Sequence, residues 1–148
     1  VYRISIQSGS KSRITPRAYF FGQGAAPCLL PNNTLWLTGG NLSSNKTHGT
    51  EGVVVLDTLR EFSATKKPNM LHKRFNHGAI YHDNFLYAIG GKNTIYLSDC
   101  ERLNLTTCQW EAFEPLPRAN SLMSLVHLKD RKAFYALGGI CNYMTTFV

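Results

Sequence analysis

No apolar run in this sequence approaches the roughly 18 residues that cross a bilayer as a helix. The longest, such as Val53 to Leu56, are the size of a strand, and no membrane partner is expected. None of the cysteines falls in a CxxC or CxH spacing, which disfavours zinc. The G-x-S-x-G elbow, the P-loop and the G-x-G-x-x-G fingerprint are missing; Gly22-Gln23-Gly24 fails at the third glycine. Elbow-type hydrolysis and phosphate cradling therefore have no support. Acidic residues are few, nine against sixteen Lys and Arg, which leaves a net charge of +7. That balance favours an acidic partner: a peptide, a polyanionic filament or nucleic acid. The basic residues are dispersed, in short pairs such as Lys66-Lys67 and Arg131-Lys132, so a solvated basic surface is expected and no nucleic-acid partner. The first residues carry neither Met nor a secretory leader. Val1 to Ile6 alternates like a strand, which reads as the middle of a longer protein.

Hydrophobic content of 43% and charged content of 17% are those of a folded domain. Four cysteines are present: Cys28, Cys100, Cys108 and Cys141. Cys100 and Cys108 fall on neighbouring strands, where a disulfide is conceivable, but small buried thiols in a reducing compartment are the preferred reading. Sequons at Asn32, Asn41, Asn45 and Asn104 arise readily in asparagine-rich turns and argue only weakly for secretion.

The strongest pattern is a diglycine that recurs after a short apolar run. It closes Leu35-Trp36-Leu37-Thr38-Gly39-Gly40, Leu86-Tyr87-Ala88-Ile89-Gly90-Gly91 and Phe134-Tyr135-Ala136-Leu137-Gly138-Gly139. The intervals are 51 residues from Gly40 to Gly91 and 48 from Gly91 to Gly139. Around the middle pair, four short strands are expected: His77–Tyr81, Phe85–Ile89, Asp99–Leu103 with its charges on one face, and Trp110–Phe113. Upstream, Cys28–Leu30, Leu35–Leu37 and Val53–Asp57 repeat the unit, with Phe62 in the place of Trp110. Downstream, Ser121–Leu128 and Ala133–Leu137 supply two strands of another. Tyr2–Ile6 and Lys11–Ile14 resemble the last two strands of an earlier one.

Over nearly its whole length the chain resembles the kelch repeat family. Arg74 opens the middle unit, Gly90-Gly91 ends its second strand, Leu103 stands where the family has Tyr, and Trp110 follows seven residues on. The resemblance implies an all-β fold: a fragment of a kelch-type β-propeller with about three four-stranded blades, two complete and two half. The expected units are 1–16, the end of a preceding blade; 17–73 and 74–117, two blades; and 118–148, the start of a further one. Gly39, Gly40, Gly90, Gly91, Gly138, Gly139 and Trp110 are expected to be structural. A closed propeller typically has four to eight blades, so other chain segments or subunits are expected to complete the ring.

Strands that run alternately up and down bring the blade connections and the loops after each diglycine to one face. That face is expected to carry Arg17, Arg74 and Arg118, with Asn45, Lys46 and His48 from the long polar loop and Lys92 and Asn93 from the next. In the resembled family such a face commonly binds partner peptides through arginines, whose planar forks suit oxyanions. The bland alternative is that these arginines hold backbone carbonyls. The expected role is a non-catalytic, cytoplasmic protein-interaction scaffold with no cofactor and no metal, within a cytoskeletal or other large assembly. The resemblance also leaves open a substrate-recognition propeller of a cullin-type ubiquitin ligase. A galactose-oxidase-like copper enzyme is the remaining alternative, although the five histidines form no local Tyr/His/Cys grouping.

Overall fold

The computed structural model describes residues 2–13, 22–42, 48–57, 63–128, 131 and 133–141. These contain twelve strands and no α-helix. In chain order they are β1 (Tyr2–Ile4), β2 (Lys11–Arg13), β3 (Ala26–Leu29), β4 (Thr34–Thr38), β5 (Val53–Asp57), β6 (Ser63–Lys67), β7 (Gly78–His82), β8 (Phe85–Ile89), β9 (Cys100–Asn104), β10 (Gln109–Phe113), β11 (Ser124–Leu128) and β12 (Ala133–Leu137). They form two four-stranded sheets, β3-β4-β5-β6 and β7-β8-β9-β10, and two two-stranded ones, β1-β2 and β11-β12. Every pairing is antiparallel between chain neighbours. The fold is the all-β array of wedge-like sheets that the repeats predicted.

Local chemistry sets the strand ends. Asp83 (φ 44°) and Asn84 (φ 66°) make a two-residue left-handed turn between β7 and β8, a conformation that short polar side chains tolerate. Each diglycine has both residues at positive φ, as at Gly90 (57°) and Gly91 (102°). A Cβ on Gly90 would stand 2.6 Å from the Asn120 carbonyl oxygen, so the site demands glycine sterically as well as conformationally.

Packing between sheets makes two cores. Trp36, Val53 and Val55 of the first sheet meet Leu86, Ala88 and Leu103 of the second, with Trp110 half-buried against them. On the other side of the second sheet, Tyr87, Ile89 and Cys100 pack with Met123, Leu125 and Phe134 of the third unit. Tyr87 lies 4.9 Å from Phe134 and 5.1 Å from Phe113, both edge-on.

Register corrects two details of the sequence reading. Leu103 lies opposite Trp110, and Leu56 at the equivalent point of the first sheet lies opposite Ala64. Ala64, not Phe62, therefore holds the Trp110 position, because the hairpin after β5 is one residue longer; Phe62 itself lies outside the described residues. The charges of β9 do not share a face either. Glu101 is fully buried toward the first sheet, whereas Arg102 lies between the Phe85 and Phe113 rings and pairs with Glu111 at 2.6 Å.

Candidate interaction face

The chain crosses from one sheet to the next through a short backbone bridge that recurs in each unit. Gln23 pairs with Asn41, Phe75 with Lys92, and Ser121 with Ile140, each second partner directly following a diglycine. The residue before the bridge thus marks the same structural position in every unit: Gly22, Arg74 and Asn120. Gly40 N–H donates to the Arg74 carbonyl at 2.9 Å and Gly91 N–H to the Asn120 carbonyl at 2.7 Å, which confirms the correspondence.

At this position Arg74 is a structural residue, and its assignment to partner binding is corrected. Its side chain is 0% exposed. The Nε and Nη2 atoms donate to one Glu101 carboxylate oxygen at 3.1 and 2.6 Å, and Nη1 donates to the Gly90 and Asp99 carbonyls at 2.6 and 2.8 Å. Glu101 also accepts from the backbone N–H groups of Leu71 and His72, at 2.6 and 3.3 Å. A guanidinium fork removed from water is retained only with such full satisfaction. Asn120 does a reduced version of the same work, its Nδ2 donating to the Gly138 carbonyl at 3.0 Å.

Arg118 is therefore not the counterpart of Arg74. It stands two residues earlier in its unit and is exposed, in a connection held by Leu116 N–H to the Ser98 carbonyl (2.9 Å) and Asn120 N–H to the Leu97 carbonyl (3.1 Å). Lys92 is half-buried, with Nζ 5.0 Å from the Tyr96 ring centroid. Asn93 joins neighbouring units: its Oδ1 accepts from Gly49 N–H at 2.9 Å, which sets exposed His48 beside the Lys92–Asn93 loop. Loops from both complete sheets and the connection bearing Arg118 thus gather at one end of the stack. Arg17, Asn45 and Lys46 lie outside the described residues.

His77, one of the five histidines of the sequence and not among the expected site residues, is a central buried group. Its Nε2 lies 2.8 Å from Thr38 Oγ1, across the boundary between the two complete sheets. Burial first, and the adjacent Arg74 cation second, lower its pKa from 6.5 to about 3, so it is neutral in the folded chain. Glu101 and Asn120 were also missed. The sequence around Glu101, Asp99-Cys100-Glu101-Arg102-Leu103, does not mark which charge is buried, and its cation can be named only once the register is known.

All four cysteines are free thiols. Burial raises Cys28 to about 11 and pushes Cys100 up as well. Among the described residues, no three His, Cys, Asp or Glu side chains converge as a metal-ligand set, and no helix is long and apolar enough to cross a membrane.

Comparison with known proteins agrees with this geometry. Residues 73–117 match the Kelch motif. Kelch-like protein terF of Aspergillus terreus is 32% identical over 103 residues, covering 65% of this chain and 22% of its own. Kelch-like protein 25 of Xenopus laevis is 32% identical over 90 residues, covering 61% of this chain and 15% of its own. The chain thus spans only a minor part of the length of these relatives. In fold it is similar to the solved structure of YjhT, with a TM-score of 0.77, 16% identity, and coverage of 95% of this chain and 45% of that one. With its recurring diglycine hairpins and its stacked four-stranded sheets, the chain carries a Kelch motif over residues 73–117 and has the fold of part of a kelch-type β-propeller.

Proposed function

We propose that the chain is a non-catalytic, cytoplasmic protein-interaction scaffold whose loop end captures an acidic segment of a partner protein, as part of a larger assembly. The observation that supports this reading is the Gly49–Asn93 hydrogen bond, which joins the loop of His48 to that of Lys92 and Asn93, while the connection bearing Arg118 is held to Leu97 and Ser98. Two neighbouring units thereby present one surface rather than separate loops. Functional loops on a rigid β scaffold are the common arrangement for recognition. The overall charge of +7 draws an acidic partner toward that surface. Arg17, Asn45 and Lys46 would extend it along the chain.

The test is binding of a fluorescent Asp/Glu-rich peptide, followed by anisotropy at low and high salt. Lys92→Glu with Arg118→Glu is expected to weaken binding at least tenfold while changing the melting temperature little, because Arg118 is exposed and Lys92 only half-buried. Salt should weaken the unaltered chain's binding in the same direction. Binding insensitive to both the double substitution and salt would sink the assignment.

A further inference from the structure

We propose that the seam between the two complete sheets holds, at its turn end, a binding site for a small planar aromatic carboxylate. A cleft of about 350 Å³ opens there, lined from the first unit by Leu30, Trp36 and Lys67 and from the second by Tyr81, Asn84 and Leu105. Its volume lies within the roughly 300–1,000 Å³ of ligand pockets. Hydrogen bonds order both walls. Trp36 Nε1 donates to Thr34 Oγ1 at 3.1 Å, and that hydroxyl donates to Asn32 Oδ1 at 2.6 Å, which fixes the indole ring. In the second sheet, Asn84 Nδ2 donates to Thr106 Oγ1 at 2.7 Å and Leu105 N–H to the Asn84 carbonyl at 3.1 Å, which ties two turns together. Apolar walls with a few oriented polar groups are the usual make-up of a small-molecule site. Asn32 and Asn84 sit in turns at the opposite end of the strands from the diglycines, so this site is separate from the loop face.

Lys67 is the residue that packing alone does not account for. Among the described residues that line the cleft, it is the only charged one. Its register position is that of Phe113. Lys67 lies opposite Val53 and Val53 opposite Thr38, as Phe113 lies opposite Cys100 and Cys100 opposite Ile89. Thr38 and Ile89 each precede a diglycine. The second sheet fills this position with a ring, Phe113, edge-on to Tyr87 at 5.1 Å. The first places an ammonium there instead, half-buried and 5.8 Å from the centroid of the Trp36 ring. An ammonium held beside aromatic side chains offers a counter-ion to an anion and flat apolar surface to the ring that carries it. One cation neutralises one carboxylate; a phosphate dianion would keep half its charge in a cleft with apolar walls.

Isothermal titration calorimetry of the 148-residue chain with indole-3-acetate, and with its neutral analogue indole-3-acetamide, tests this. The acid is expected to bind at least tenfold more tightly than the amide, a comparison made on the unaltered chain. Lys67→Met keeps the aliphatic stem against Trp36 and removes the charge, so it should cancel the preference for the acid. Lys67→Arg should retain that preference. Bound indole-3-acetate should also slow alkylation of Cys108, an exposed thiol that lines the same cleft. No binding at millimolar indole-3-acetate, equal affinity for acid and amide, a Lys67→Met chain that still prefers the acid, or Cys108 alkylated at its free rate would overturn the proposal.

Discussion

Arg74 and Glu101 show how one position can be read correctly as important and wrongly as exposed. Both charges are sealed from water, and the carboxylate is further held by two backbone N–H groups. Breaking such a pair strands the remaining charge, so Arg74→Ala is expected to cost about 3–5 kcal/mol in urea denaturation. Arg74→Met combined with Glu101→Leu should recover much of that loss, and a double substitution as damaging as the single one would contradict the account. His77 makes a second residue-scale prediction. Its folded pKa lies below its unfolded value, so the unfolded chain binds the extra proton. Stability from this group is complete above about pH 6.5 and falls by roughly 1.4 kcal/mol per pH unit as the pH drops toward 3. His77→Gln should flatten that slope by one proton, measured as the pH dependence of the denaturation midpoint.

At the scale of the strand and its turn, the diglycines separate two reasons for glycine. Gly90 and Gly138 share a left-handed backbone, but a Cβ on Gly90 meets the Asn120 oxygen at 2.6 Å, whereas one on Gly138 meets nothing within 4 Å. Gly138→Ala is expected to cost the conformational penalty alone, about 1–2 kcal/mol. Gly90→Ala should cost clearly more, and equal losses in parallel melts would show that packing contributes nothing. The strands themselves were largely legible: Phe85–Ile89 and Val53–Asp57 appear with the bounds expected, because apolar runs bounded by turns are a local signal. The β6 position was not, because Ala64 carries no apolar mark. Its place opposite Leu56 is fixed by a hairpin length that composition does not encode.

For the molecule as a whole, the repeat interval was enough to give stacked four-stranded sheets, since the same hairpin must bury the same faces each time. Connectivity led to the expectation of one loop end, because alternating strands return each connection to the same side. What sequence spacing could not give was the correspondence between units. Arg17, Arg74 and Arg118 look alike along the chain, yet the bridges at Gln23, Phe75 and Ser121 align Gly22, Arg74 and Asn120. The cation inside the stack and the cation at its surface differ only in that two-residue offset.

That alignment makes the modules non-interchangeable. Where the second holds Glu101 against Arg74, the first has Val54 at the same register and Gly22 in the place of Arg74. Transplanting β9 into the slot of β5 would bury an acid beside a residue that has no side chain to neutralise it. A recombined gene could keep every Gly-Gly doublet and still yield a protein unable to assemble.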